Sequence, residues 1–207
     1  AISSDLTRDL ARLELATGDR VWSVDDLYDH MAMSFYSTIT DVSESPVADG
    51  ELWVGTDDGL VQHSPDSGET WAACGELPGL AERAFINDVE ACLHRSGACF
   101  VAADDHKNGD FAPYILKSED RGRKWKSITS NLPERHVLWR VVQDHVKPGL
   151  MFLGTEFGVF FTVNGGGEWT KLKGGSPNIP FRDLVIQTRE NDLVGATFGR
   201  SFYILDD

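Results

Sequence analysis

The chain has 207 residues, 41% of them apolar, which is enough for a core but contains no run near the roughly 20 apolar residues of a membrane-spanning helix. Lys and Arg total 19 against 33 Asp and Glu, and the net charge of −14 argues against nucleic acid or an anionic membrane as the main partner. Three Cys are too few for a disulfide scaffold and match no zinc spacing, so neither a metal nor a cofactor is expected.

In chain order, residues 1–37 are irregular. The opening Ala1-Ile2-Ser3 has no initiator Met and no basic-then-apolar leader, as expected of a processed product or a piece of a longer protein. Leu6, Leu10 and Leu13 have helical spacing, and Ser23-Val24-Asp25-Asp26 resembles a helix start. A leading strand and a linker with one or two helical turns are expected here.

From Thr38 onward an octapeptide recurs: Ser64–Trp71, Ser118–Trp125 and Thr162–Trp169, with the pattern Ser/Thr, any, Asp/Asn, any, Gly, any, any, Trp. The copies start about 50 residues apart, the length of one four-stranded propeller blade. A second repeat precedes it: Leu52–Val61 matches Met151–Phe160 position for position, and Leu193–Leu205 is a degenerate copy.

The expected strands are Thr38–Ser43, Glu51–Gly55, Leu60–His63 and Thr70–Cys74 in the first blade. They are Phe85–Leu93, Ala98–Ala102, Tyr114–Lys117 and Lys124–Ile128 in the second, and Leu138–Asp144, Leu150–Gly154, Val159–Thr162 and Glu168–Leu172 in the third. The fourth has Arg182–Thr188, Asp192–Ala196 and Ser201–Leu205 and lacks its last strand. The fold expected is all-β, a propeller of about four blades. The blades cover about 38–74, 85–128, 138–172 and 182–205.

The octapeptide acts as a hairpin clamp. Asp66, Asp120 or Asn164 accepts N–H groups of its own turn, with Ser64, Ser118 or Thr162 opening it. Gly68, Gly122 and Gly166 take a positive φ, and Trp71, Trp125 and Trp169 start the next strand and pack between sheets. These residues are structural and not catalytic. Cys92 and Cys99 are expected opposite each other across the loop His94–Gly97, close enough for a disulfide in an oxidising compartment, with Cys74 free.

The octapeptide resembles the Asp-box, or BNR, repeat of sialidase-like and sortilin-like β-propellers. With G-T-D-D-G, A-D-D-H-K, G-T-E-F-G-V and A-T-F-G-R-S-F-Y-I-L-D-D, the chain is similar to bacterial Asp-box proteins often labelled glycosyl hydrolases, which are relatives of the sortilin-type and xyloglucan-active propellers. The resemblance implies that Ile2-Ser3-Ser4-Asp5-Leu6-Thr7 is the last strand of a preceding blade. It also implies that a ligand site lies on the face opposite the Asp-boxes, and that the protein is secreted or periplasmic.

That face would carry Asp57, Asp58, Asp104, Asp105, His106, Asp110, Glu156, Trp139, Arg140, Arg182 and Arg200, with Arg83, Arg135, His136, Phe157 and Phe198 nearby. The acidic stretch Asp104–Asp110 has no EF-hand spacing and is expected to be solvated. Asp58, Asp105 and Glu156 sit on loops of three blades and are the candidates for the two carboxylates of a glycosidase. Arg83, Arg140, Arg182 and Arg200 are those for a sialidase arginine cluster, which no local motif supports. His30, His63, His94, His136 and His145 are scattered and are not expected to act as ligands.

The leading expectation is a non-catalytic binding or scaffold module for a protein, peptide or glycan; the alternative is a glycoside hydrolase. The other expected partners are the remaining blades of a larger propeller or a second copy of the chain.

Overall fold

The computed structural model describes residues 5–8, 15–17, 20–22 and 37–206. Ile2–Ser4, Leu10, Leu13, Ser23–Asp26 and His30 lie outside them. β1 (Leu15–Thr17) and β2 (Arg20–Trp22) form an antiparallel hairpin. Residues 5–8 run along the first blade, where Gln62 donates to the Leu6 carbonyl at 2.5 Å and the Arg8 guanidinium bonds Glu82.

Four antiparallel sheets follow. The first holds β3 (Ile39–Glu44), β4 (Leu52–Thr56), β5 (Val61–Ser64) and β6 (Ala72–Ala73). The second holds β7 (Phe85–Ala91), β8 (Cys99–Asp105), β9 (Asp110–Ser118) and β10 (Lys126–Ser127). The third holds β11 (Leu138–Gln143), β12 (Met151–Thr155), β13 (Gly158–Thr162) and β14 (Thr170–Lys171). The last has three strands, β15 (Phe181–Gln187), β16 (Asp192–Thr197) and β17 (Phe202–Leu205). Each sheet keeps sequence order, so consecutive strands pair through hairpins. The fold is a partial β-propeller of about four blades.

The core lies between sheets. Trp53, Ile86, Val89, Val101 and Leu116 fill the gap between blades one and two. Phe100, Ile115, Leu138, Leu153 and Trp169 fill that between two and three, and Val159, Phe181, Leu184 and Leu193 that between three and four. This arrangement suits a sheet buried on both faces, with side chains of alternating direction entering different clusters.

One expectation fails by a single residue. Cys99 pairs with Ala91, and the Cys92 N–H donates to Ala98 at 2.9 Å, so the two thiols are not opposite. A one-residue slip moves a side chain to the other face. Cys92 therefore belongs to the cluster between blades two and three, and Cys99 to that between one and two. All three cysteines are free. Burial pushes the Cys74 thiol up to about 12, with Asp120 adding to it.

The octapeptide turns form as the residue types require. Thr70, Lys124 and Glu168 N–H groups donate to Asp66, Asp120 and Asn164 at 2.8, 2.9 and 3.0 Å. Gly68, Gly122 and Gly166 N–H groups donate to Ser64, Ser118 and Thr162. Each turn then docks on the first hairpin of its own blade: Ser67 to Gly50, Arg121 to Gly97 and Gly165 to Gly149, at 2.7, 2.8 and 2.9 Å. Gly122 and Gly166 also abut the preceding blade. A Cβ on Gly122 would lie 2.2 Å from Cys74 Sγ, and one on Gly166 2.8 Å from Ile128 Cβ.

Candidate functional site

The first strands β3, β7, β11 and β15 form the inner edges of their sheets, and each carries the same irregularity. Register shifts between Ile39 and Asp41, Ile86 and Asp88, Leu138 and Arg140, and Phe181 and Asp183. A bulge leaves one residue unpaired and re-aims its side chain. The extra residues are Thr40, Asn87, Trp139 and Arg182.

Two of these bulged residues build a cleft on the face opposite the octapeptide turns. The Arg182 guanidinium stacks over the Trp139 ring, 3.5 Å from its centroid, and lies 5.4 Å from that of Phe198. Arg135 lies 5.0 Å over Phe111. Such contacts hold a guanidinium flat while leaving its N–H edge to meet an acceptor. The cleft is about 580 Å³ and is lined by Trp139, Arg182, Arg135, Phe111, His106, Val137, Glu156 and Phe157. His106 meets Trp139 edge-on, its centroid 6.0 Å away, and its Nδ1 is tied to the buried Asp104 carboxylate. His136 packs behind Phe157, and burial lowers its pKa. Among the described residues neither Arg135 nor Arg182 has a carboxylate partner, although the chain carries 33 carboxylate side chains. The Trp139 indole N–H is buried without an acceptor among them.

The other expected residues are dispersed. Asp57 is buried and accepts the Thr38 N–H and hydroxyl at 2.8 and 3.0 Å. Asp58 is fully buried, holding the hydroxyls of Thr56 and Ser37 and the Arg8 N–H. Asp104 also accepts from Asn87 at 2.7 Å. Asp105 takes Asn108 and, with Arg83 and Lys107, lines a smaller, separate cleft of about 270 Å³. Asp110 accepts Ala112 N–H at 2.9 Å and the Tyr114 hydroxyl at 2.5 Å, which hold its carboxyl below the usual range. Arg200 is exposed on the β16–β17 turn. The stretch Asp104–Asp110 is strand ends joined by a short 3-10 helix, His106–Asn108. No group of three or more His, Cys, Asp or Glu among the described residues is arranged to hold a metal.

Arg140 faces the inner channel instead of the cleft. It meets Asp88 at 2.5 Å, Asp183 at 3.3 Å and Asp41 at 3.4 Å. Burial works against its charge, but Asp88, Asp41, Glu90 and Asp183 together hold its pKa above the usual value. Burial pushes Asp88 well up, and it pushes Glu90 up to about 7 despite Arg140 and the Gln143 N–H. Asp41 and Asp88 have a second role: each accepts the N–H of the next blade's first strand, Val89 at 3.0 Å and Val141 at 2.6 Å. Edge N–H groups that would otherwise be unpaired are thereby satisfied.

Phe111 in the cleft and the carboxylates Asp41, Asp88 and Asp183 are additions to the residues that the sequence singled out. A signal existed for the second set: apolar, any, Asp or Arg, apolar recurs at Ile39–Val42, Ile86–Val89, Leu138–Val141 and Phe181–Leu184.

No protein-family model matches the chain, and no curated protein matches it. Solved structures do. The GH74 xyloglucanase from Xanthomonas campestris is similar at 10% identity and a TM-score of 0.63, over 82% of this chain and 29% of that one. The Niastella koreensis GH74 enzyme is similar at 14% and 0.60, over 90% and 25%. YCF48 bound to D1 peptide is similar at 17% and 0.58, over 82% and 51%. At these identities the likeness is one of fold, a β-propeller. The chain spans 22–56% of the length of the similar structures.

Proposed function

We propose that this chain is a non-catalytic binding module of an Asp-box propeller, and that the cleft around Trp139 takes an extended peptide segment bearing a carboxylate. The observation that carries this reading is the pair of guanidiniums, Arg135 and Arg182, stacked on aromatic rings without acidic partners among the described residues. In a chain with a net charge of −14, nearby carboxylates would be the default partners. Two forks held flat suit bidentate recognition of a carboxylate, with Phe157 and Phe111 as apolar walls. YCF48, a propeller of similar fold, is described with a bound peptide. The Trp139 face is covered by Arg182, so it is not a free platform for a sugar ring.

The second reading is a glycoside hydrolase, favoured by the GH74 enzymes among the similar folds. A glycosidase needs two carboxylates flanking one bond. Asp58 is buried and fully engaged, Asp105 lines the neighbouring cleft, and among the described residues Glu156 is the one carboxylate lining the cleft around Trp139. That dispersal supports binding over hydrolysis. The proposed location, secreted or periplasmic, accords with a similar fold in an extracellular domain. No helix among the described residues is long and apolar enough to cross a membrane.

The test is calorimetric titration with a panel of acidic peptides, their amidated forms and xyloglucan oligosaccharides, beside a hydrolysis assay. Binding of acidic peptides that weakens with salt, with amidation and with Arg182→Ala is expected. Oligosaccharide turnover that is lost in Glu156→Gln would overturn the reading.

A further inference from the structure

We propose that the open edge of β17, with the apolar cleft beside it, is the acceptor for one more strand, which carries a tryptophan at the position held by Trp125 and Trp169 in the two preceding interfaces. The other blades supply the comparison. In each, the fourth strand closes on the third by one recurring bond: Cys74 N–H to Val61, Ile128 N–H to Ile115, and Leu172 N–H to Val159, at 2.9, 3.0 and 2.8 Å. Cys74, Ile128 and Leu172 are thus equivalent residues. The next blade seats its octapeptide on the first two. Gly122 lies against Cys74 and Gly166 against Ile128, and the Trp169 indole donates to the Ile128 carbonyl at 2.8 Å.

Among the described residues Leu172 has no such cover. It is half-buried and lines a cavity of about 200 Å³ with Val159, Phe181, Leu184, Tyr203 and Leu205. By register, Gly195↔Tyr203 corresponds to Gly154↔Val159, and so Ile204 and Leu205 correspond to Phe160 and Phe161. Phe160 and Phe161 pair with Lys171 and Thr170; among the described residues the sheet has no strand beyond β17. The Tyr203 carbonyl, equivalent to that of Val159, faces this open side. An unpaired edge beside an apolar cavity is a template for strand addition.

The same equivalence fixes the occupant's chemistry. It is a segment antiparallel to β17 with the spacing Gly-any-any-Trp. The glycine lies on Leu172, the indole enters the cavity, and the two residues after the tryptophan pair with Leu205 and Ile204. Side chains larger than hydrogen are excluded at the glycine, as they are at Gly122 and Gly166.

The probe is a labelled synthetic peptide with the sequence of residues 162–173, titrated into the 207-residue chain to about 1 mM and followed by anisotropy and amide hydrogen exchange. Saturable binding that slows exchange in Tyr203–Leu205, and not in Val159–Phe161, is expected. The peptide with tryptophan replaced by alanine should bind about tenfold more weakly, because the indole supplies most of the buried apolar surface. Leu205→Lys in the acceptor should produce a similar loss with an unchanged Tm, since Leu205 is exposed. Absence of binding, equal binding of both peptides, or protection away from β17 would overturn the proposal. So would a concentration-dependent dimer by sedimentation that protects β17 and excludes the peptide, which would assign the edge to a second copy.

Discussion

At one end of the blades, three octapeptide turns repeat the same bonds at distances that agree within a few tenths of an ångström. At the other end, three of the four turns between second and third strands share a frame, with Asp57, Glu156 and Phe198 N–H groups donating to Thr38, Val137 and Pro180, but the side chains that the four turns present differ. Thr56–Leu60 is fastened by Asp57 and Asp58, Asp105–Asp110 carries a short helix, Thr155–Gly158 presents Glu156 and Phe157, and Thr197–Phe202 exposes Phe198. The uniform end does what every blade interface needs. The variable end is free of that duty, and loops on a rigid scaffold are where recognition is placed.

The contrast is broken most severely at Gly122. Gly122 and Gly109 both have positive φ, 74° and 87°, but at opposite ends. A Cβ on Gly122 meets Cys74, whereas one on Gly109 meets nothing within 4 Å. Gly109→Ala is expected to cost about 1 kcal/mol of backbone strain. Gly122→Ala should cost about 3 kcal/mol, overpacking added to the same strain. Urea melts of the two variants check this, and equal losses would remove the clash from the account.

Between the two ends lies the inner channel, where pH is the lever. Glu90 titrates near 7 in the folded chain, above its usual 4.5. The groups that act on it are Arg140, the Gln143 N–H and Asp41. A carboxyl whose folded pKa is raised binds its proton more tightly when folded. Its penalty is absent below about 4.5 and develops as pH rises to about 7, so stability falls across that window. The loss is up to about 3 kcal/mol before solvent relaxation reduces it. Glu90→Gln should flatten the slope, as read from Tm between pH 4.5 and 8. An unchanged slope would assign the dependence to Asp88.

Smaller effects sharpen the division. Asn164→Ala should cost about 1 kcal/mol, through the lost bond to Glu168 N–H, and leave peptide binding intact. Arg182→Ala should stay within about 0.5 kcal/mol in stability while binding falls. Denaturation and calorimetry on the same two variants check both halves.

The uniform end was legible in the sequence because its chemistry is local. An Asp or Asn, a Gly and a Trp at fixed spacing can do little else within eight residues. That the described residues give blade four three strands was legible for the same reason. Pairing across a hairpin was less so: Cys92 and Cys99 miss by one position, because the register depends on where the ladder stops and not on loop composition. The cleft was half legible. Trp139, Arg182, His106 and Glu156 were named, but Arg140 was placed with them. The bulge between Leu138 and Arg140 sends Trp139 to the cleft and Arg140 to the channel, and alternation along a strand does not reveal a bulge.

The four inner-strand positions Asp41, Asp88, Arg140 and Asp183 also bear on how the chain assembles. Near-identical modules risk docking on the wrong neighbour during folding. Here blade three alone carries a positive charge at that position, flanked by carboxylates on both sides. Docking blade two directly on blade four would set Asp88 against Asp183 with no guanidinium between them. A single reversed charge thus acts as an address label: it marks blade three and favours carboxylate-bearing blades on either side of it.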